Sequence, residues 1–162
     1  MVRRIFRVLV LLLSMTALCG VLQAQTANIV TLRLLDGKTG RRVVPTGILV
    51  RANHDATDHG NWAKQNDDGT AQIKLPDGAS VILIHATYED SMEYFINCDS
   101  PKQADTPAEL WYPVSGILAT GLVAANGCLN PKAAEKLKVT AKPGEFVLFV
   151  RKLNWREQSR VQ

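Results

Sequence analysis

Hydrophobic and polar positions alternate from Asn28 to Leu35, with Val30, Leu32 and Leu34 on one side and Thr31 and Arg33 on the other. A period of two with β-branched residues predicts a half-buried strand. Asp36-Gly37-Lys38-Thr39-Gly40 supplies the glycines that a turn needs at its end. Gly47 to Ala52 reads as a second strand. His54 to Asp68 is polar and without period, and is expected to be a long loop. Asn66-Asp67-Asp68-Gly69 is a strong turn signal that opens a strand through Ala71, Ile73 and Leu75, and Pro76-Asp77-Gly78 turns the chain again. Val81 to Tyr88 carries Ile82, Ile84 and Ala86 on one face and Val81 and Leu83 on the other. A strand apolar on both sides needs cover on both sides, which predicts a place in the middle of a sheet. Tyr94 to Cys98 follows as another strand.

The second half is less regular. Asp99 to Pro113 is a long connection punctuated by Pro101, Pro107 and Pro113. Ser115 to Thr120 suits one helical turn, Gly121 to Ala125 a short strand, and Pro131 to Leu137 a second helical turn. Lys138 to Ala141, the Lys142-Pro143-Gly144 turn and Glu145 to Leu153 are expected to close the domain as a hairpin. About seven short strands with little helix predict an all-β antiparallel sandwich carrying a long insertion loop.

The first residues change the picture of where this happens. Arg3, Arg4 and Arg7 precede an apolar run from Val8 to Leu18, and Leu22-Gln23-Ala24 ends in a small residue. That is the three-part layout of a cleavable secretory signal. The apolar run is shorter than the roughly 20 residues a membrane-spanning helix takes. An uncleaved anchor and a lipid attached at Cys19 are the competing readings. The expected organisation is a signal peptide over 1–24, a β-sandwich over 25–153 and a basic tail over 154–162. The whole chain carries +4, of which three charges are the arginines of the first 24 residues, leaving +1. Nothing then calls for nucleic acid, which needs a clustered basic face. The expected address is the periplasm or the outside of the cell, and the expected partner is an envelope protein or a glycan.

Three stretches resemble one family. Val30 to Gly40 is similar to the first strand and turn of carboxypeptidase regulatory-like domains, which are transthyretin-like sandwiches. Asn66-Asp67-Asp68-Gly69-Thr70-Ala71-Gln72-Ile73 resembles their turn-then-strand, and Val139 to Phe146 their last hairpin. The resemblance covers about a third of the exported part and departs from it between Asp99 and Pro131. It implies a fold and an address, and no activity.

Candidate chemistry is sparse. His54, Asp58 and His59 share a loop and are weak candidates for a metal site, since two histidines five apart lack the four-ligand spacing of structural zinc. No Gly-x-Ser-x-Gly elbow occurs. The C-terminal Tyr-Arg-Gly-Ser of transthyretin-like hydroxyisourate hydrolases is absent, and the chain ends Arg160-Val161-Gln162. Asp99, Asp105 and Glu109 are isolated acids. No catalytic residue and no cofactor is assigned. Trp62, Trp111 with Tyr112, and Trp155 fall outside the clearest strands, where aromatic faces can stack on sugar rings or close the ends of the sandwich, and Trp62, Trp111 and Tyr112 are the candidates for stacking. Cys98 and Cys128 are the two cysteines left once Cys19 departs with the signal. An even count in an oxidising compartment predicts that they are bonded to each other.

Overall fold

The computed structural model describes residues 29–44, 47–55, 60–63, 65–87, 95–99 and 110–159. Two β-sheets pack face to face. The first holds β1 (Ile29–Asp36), β4 (Thr70–Lys74), β6 (Phe95–Asn97), β8 (Leu122–Val123) and β9 (Glu145–Lys152), in the order β4-β1-β9-β6 with β8 also beside β9. The second is β3-β2-β5-β7, from Asn61–Ala63, Gly47–Ala52, Val81–Thr87 and Tyr112–Pro113. Three short helices join them: α1 (Val114–Thr120), α2 (Pro131–Glu135) and α3 (Trp155–Gln158).

The alternation seen in the sequence becomes the core. Val30, Leu32 and Leu34 of β1, Ile48 and Val50 of β2, Ile82 and Ile84 of β5, and Phe146, Leu148 and Val150 of β9 lie buried between the sheets. β5 runs between β2 and β7, with Ile82 and Leu83 both shut off from solvent.

Three expectations are corrected. The sandwich is mixed and not antiparallel, because β9 runs parallel to β1, pairing Thr31 with Glu145 through Asp36 with Val150. The closing hairpin does not form. Val139 and Ala141 pack with Leu137, Cys128 and Val123 over Leu35, Val147 and Phe149, on the outer face of the first sheet. The Arg33 guanidinium, ion-paired with Glu145 at 2.9 Å, donates to the Thr140 oxygen at 2.6 Å and fixes the segment there. β9 is thus covered on both faces, and Phe146 to Val150 is buried without a break. Finally, the loop from His54 to Asp68 contains β3, which pairs Ile48 with Ala63 and Val50 with Asn61. Three residues are too few to show a period, so β3 is a product of its neighbour.

The disulfide joins Cys98 to Cys128, with the Cα atoms 4.9 Å apart. It ties the end of β6 to the layer that covers the first sheet. Gly37 sits against it: a Cβ there would collide with Cys98 Sγ and come within 2.8 Å of Cys128 Cβ. Asn126 Nδ2 donates to the Gly37 oxygen at 2.7 Å. The glycine that reads as a turn former is required by the bridge.

From Asn154 to Ser159 the chain is pinned. Asn154 and Glu157 form a reciprocal cap on α3, and Arg151 makes a two-pronged ion pair with Glu157 at 2.8 and 2.9 Å. Among the described residues no helix is long and apolar enough to cross a membrane.

Candidate binding cleft

Both sheets end in an edge strand on the same side, β3 in one and β4 in the other. β3 pairs with β2 from Ile48 to Val50, and β2 runs on through Arg51 and Ala52. Opposite lies β4, whose start is set by a tight turn. Asp68 Oδ1 accepts from Thr70 N at 2.9 Å and Thr70 Oγ1 at 2.6 Å, and Gly69 takes φ +77°. These hydrogen bonds hold the Asp68 carboxyl below its ordinary pKa. A cleft of about 440 Å³ opens between the two edges. Val50, Ala52, Ile73 and Leu75 supply its apolar floor, and Asn61, Trp62, Gln72 and Lys74 its exposed rim. Arg51 also lines it.

Register decides where the rim side chains face. Directly opposed residues of an antiparallel pair share a face. Trp62 stands opposite Leu49 on the outside of the sheet, and is 52% exposed. Asn61 stands opposite Val50 and faces the seam. Gly60, at φ +80°, lies so near the sheet that a Cβ there would come within 2.6 Å of Leu49 Cδ1 and 3.1 Å of Arg51 Cγ. That close approach brings β3 into pairing range.

Arg51 is a positioned cation. It lies opposite Leu83, its guanidinium sits 5.9 Å from the centre of the Trp111 ring, and it donates to the Asp55 oxygen at 3.1 Å. His54 packs against the same indole, with ring centres 4.1 Å apart and the planes tilted by 46°. His54 takes φ +55°, a left-handed conformation that histidine tolerates better than β-branched residues do.

The residues singled out in the sequence therefore separate. Trp62 and Trp111 belong to the outer surface of the second sheet, Trp62 opposite Leu49 and Trp111 beside Arg51. Tyr112 is half-buried: its ring packs on Phe146, 4.5 Å between centres, and its hydroxyl is buried without a hydrogen-bond partner. In the metal reading, His54 is engaged with Trp111, while Asp58 and His59 lie outside the described residues. Among the described residues no group of three or more His, Cys, Asp or Glu can hold a metal ion.

Asp99, next to the disulfide, is the one acid with an unusual setting among those that are described. Both of its carboxylate oxygens are buried without a hydrogen-bond partner. Burial pushes its pKa up to about 6.

Sequence reasoning missed Arg51, Asn61, Gln72 and Lys74. Gln72 and Lys74 are the polar positions of an alternating strand and were legible as such. Opposite Thr31 and Ile29 they belong to the outer face of the first sheet, and that they also border the cleft follows only from the packing of the sheets. No family model matches this chain, and no curated protein and no solved structure is similar to it.

Proposed function

We propose that this chain is a non-enzymatic, exported binding module of the cell envelope, and that its ligand is a carbohydrate held at the seam between β3 and β4. The observation that carries the reading is Trp62, an indole more than half exposed at the rim of a cleft with an apolar floor and amide side chains beside it. An aromatic face stacks on the C–H face of a sugar ring, while Asn61 and Gln72 can both donate to and accept from hydroxyls. The cleft volume is at the lower end of small-ligand sites, which suits a short segment of glycan. Export is supported by the N-terminal pattern and by the Cys98–Cys128 bridge, since disulfides persist in oxidising compartments. The transthyretin-like resemblance is part of the same reading and is supported by two packed sheets of mainly short strands. Glycan-array binding by the purified exported chain tests it. Binding that is lost in Trp62→Ala and retained in Trp155→Ala, which alters an exposed indole on α3, is the expected result. A blank array, or binding indifferent to Trp62, overturns it.

A further inference from the structure

Independently of the carbohydrate reading, we infer that the end of the sandwich where β1 and β9 finish docks on an anionic lipid surface, with a lysine cluster against the headgroup phosphates and the Trp155 indole among the headgroups.

The fold brings three distant segments to that end. β1 and β9 are parallel, so the turn after β1 and α3 after β9 leave the first sheet on the same side. Gly37 N, in that turn, donates to the Val150 oxygen at 2.8 Å, and the Arg151–Glu157 pair holds α3 beside the end of β9. A Cβ on Gly40 would come within 3.3 Å of Leu137 Cδ2, so the stretch that follows α2 leans on the turn as well. Lys38 and Arg41 flank Gly40, while Lys136 and Lys138 flank Leu137. Lys132 lies four residues before Lys136, on the same face of the helical turn. All five cations are exposed, and among the described residues their charged groups have no ion pair and no hydrogen bond.

The acids described at this end offset them little. Asp36 is taken up by the amides and hydroxyl of its own turn, Glu157 by Arg151, and both carboxylate oxygens of Asp99 are buried. Glu135 is the exposed acid that remains. The small net charge of the chain after residue 24 conceals this cluster, because its members come from segments that most of the chain separates.

Two observations favour lipid over another polyanion. Four of the five cations are lysines. An ammonium is a compact, hydrated charge without the planar fork that guanidinium uses for bidentate recognition, and it suits the diffuse field of a charged membrane surface. Trp155 is 73% exposed, with the Arg156 guanidinium 5.0 Å from the centre of its ring. An indole has an apolar body and a polar edge, and the headgroup layer of a membrane accommodates both. Docking at this end leaves the cleft clear, since the cleft reaches Lys74, which lies opposite Ile29 at the start of β1.

The test uses the exported chain, its mass confirming that the N-terminal arginines and apolar run are gone. Vesicles of phosphatidylglycerol and phosphatidylcholine in equal parts are compared with phosphatidylcholine alone, by co-sedimentation and Trp fluorescence. Binding to the mixed vesicles and not to the neutral ones is expected, with a blue shift of the emission. It should weaken as salt rises, because exposed charges are screened. Each charge removed from the cluster should weaken binding about fivefold at low salt, so Lys136→Gln shows about that loss and Lys132→Gln with Lys136→Gln about 25-fold. Lys142→Gln removes the same charge beside Glu145, at the other end of β9, and should change binding little. Trp155→Ala should weaken binding and remove the blue shift. No binding to either vesicle, or equal binding to both, overturns the inference. So does a loss in Lys142→Gln as large as in Lys136→Gln, which assigns the effect to net charge, and so does a blue shift that Trp155→Ala leaves unchanged. Binding to soluble polyphosphate through the same lysines, with none to vesicles, assigns the face to a soluble polyanion and also overturns it. Circular dichroism on each variant, all at exposed positions, confirms that the fold is intact.

Discussion

The side-chain amide of Asn97 donates to the main-chain oxygen of Ile84 at 2.8 Å, crossing from one sheet to the other. β7 pairs with β5 only at Val81 and Ile82, so the free edge of β5 beyond that point has a carbonyl to satisfy. Asn97 is buried, and is the one polar residue in the buried set among those described. Its placement follows from the need of buried carbonyls for a donor.

Asn97→Leu keeps the approximate size and removes the donor. The Ile84 oxygen is then buried without a partner, which costs about 1–3 kcal/mol. Urea denaturation should show a lower midpoint with an unchanged slope. An unchanged midpoint would mean that water replaces the amide.

The Cys98–Cys128 bridge closes a segment of 30 residues. Constraint of the unfolded chain by such a loop is worth about 3–4 kcal/mol. Replacing both cysteines with alanine should lower stability by that amount and loosen the 121–141 layer first, seen as faster amide exchange at Ala124, whose N–H bonds to Val147. Exchange that rises uniformly across β9 and β5 would instead place the bridge in the global core.

Gly37 and the bridge should be energetically coupled. Gly37→Ala forces a Cβ against Cys98 Sγ and Cys128 Cβ, and overpacking of this kind costs about 1–3 kcal/mol. In the double-alanine background the sulfurs are gone and the cost should fall by more than half. A double-mutant cycle reads the difference directly. Additive effects would show that the glycine is needed for its backbone alone.

Asp99 gives the fold a pH dependence of known sign. Its carboxyl titrates at about 6 in the folded chain against 3.8 ordinarily. Between those values the folded chain holds a proton that the unfolded chain has released, so stability falls as pH rises through the window and is lowest above it. The displacement corresponds to about 3 kcal/mol at full burial. The residue as a whole is only half-buried, and screening by the nearby solvent reduces this to about 1–2 kcal/mol. Asp99→Asn should therefore raise the melting temperature at pH 8 and change it little below pH 4. A gain that is the same at both pH values would point to packing and not to charge.

Much of the sandwich is written in local pattern. The alternation of Val30, Leu32 and Leu34 fixes which face of β1 is buried, because side chains of a strand point to opposite sides in turn. The doubly apolar stretch at Ile82 to Ile84 marks an interior strand. Asp68-Gly69-Thr70 marks a turn whose hydrogen bonds lie within three residues. The pairing of Cys98 with Cys128 is a matter of counting the cysteines that follow residue 24. Each of these depends on neighbours in sequence or on composition, so the chain itself determined them.

The tertiary structure decided what depends on distant partners. Glu145 to Lys152 has the pattern of a hairpin arm, yet it lies parallel to β1, with the second sheet covering one of its faces and the outer layer of Val139 and Ala141 the other, which a terminal hairpin cannot do. Asn61 to Ala63 became a strand only because Gly60 lets it approach Leu49 and Arg51. Trp111 and Tyr112 are adjacent in sequence and part at the sheet surface, one outward to Arg51 and His54, the other inward to Phe146, because consecutive residues of an extended chain face opposite sides. The cleft forms where β2 runs on past its three-residue pairing with β3, with the edge of β4 alongside. Strand lengths and sheet offsets are set by the packing of the whole core, and no local stretch of sequence encodes them.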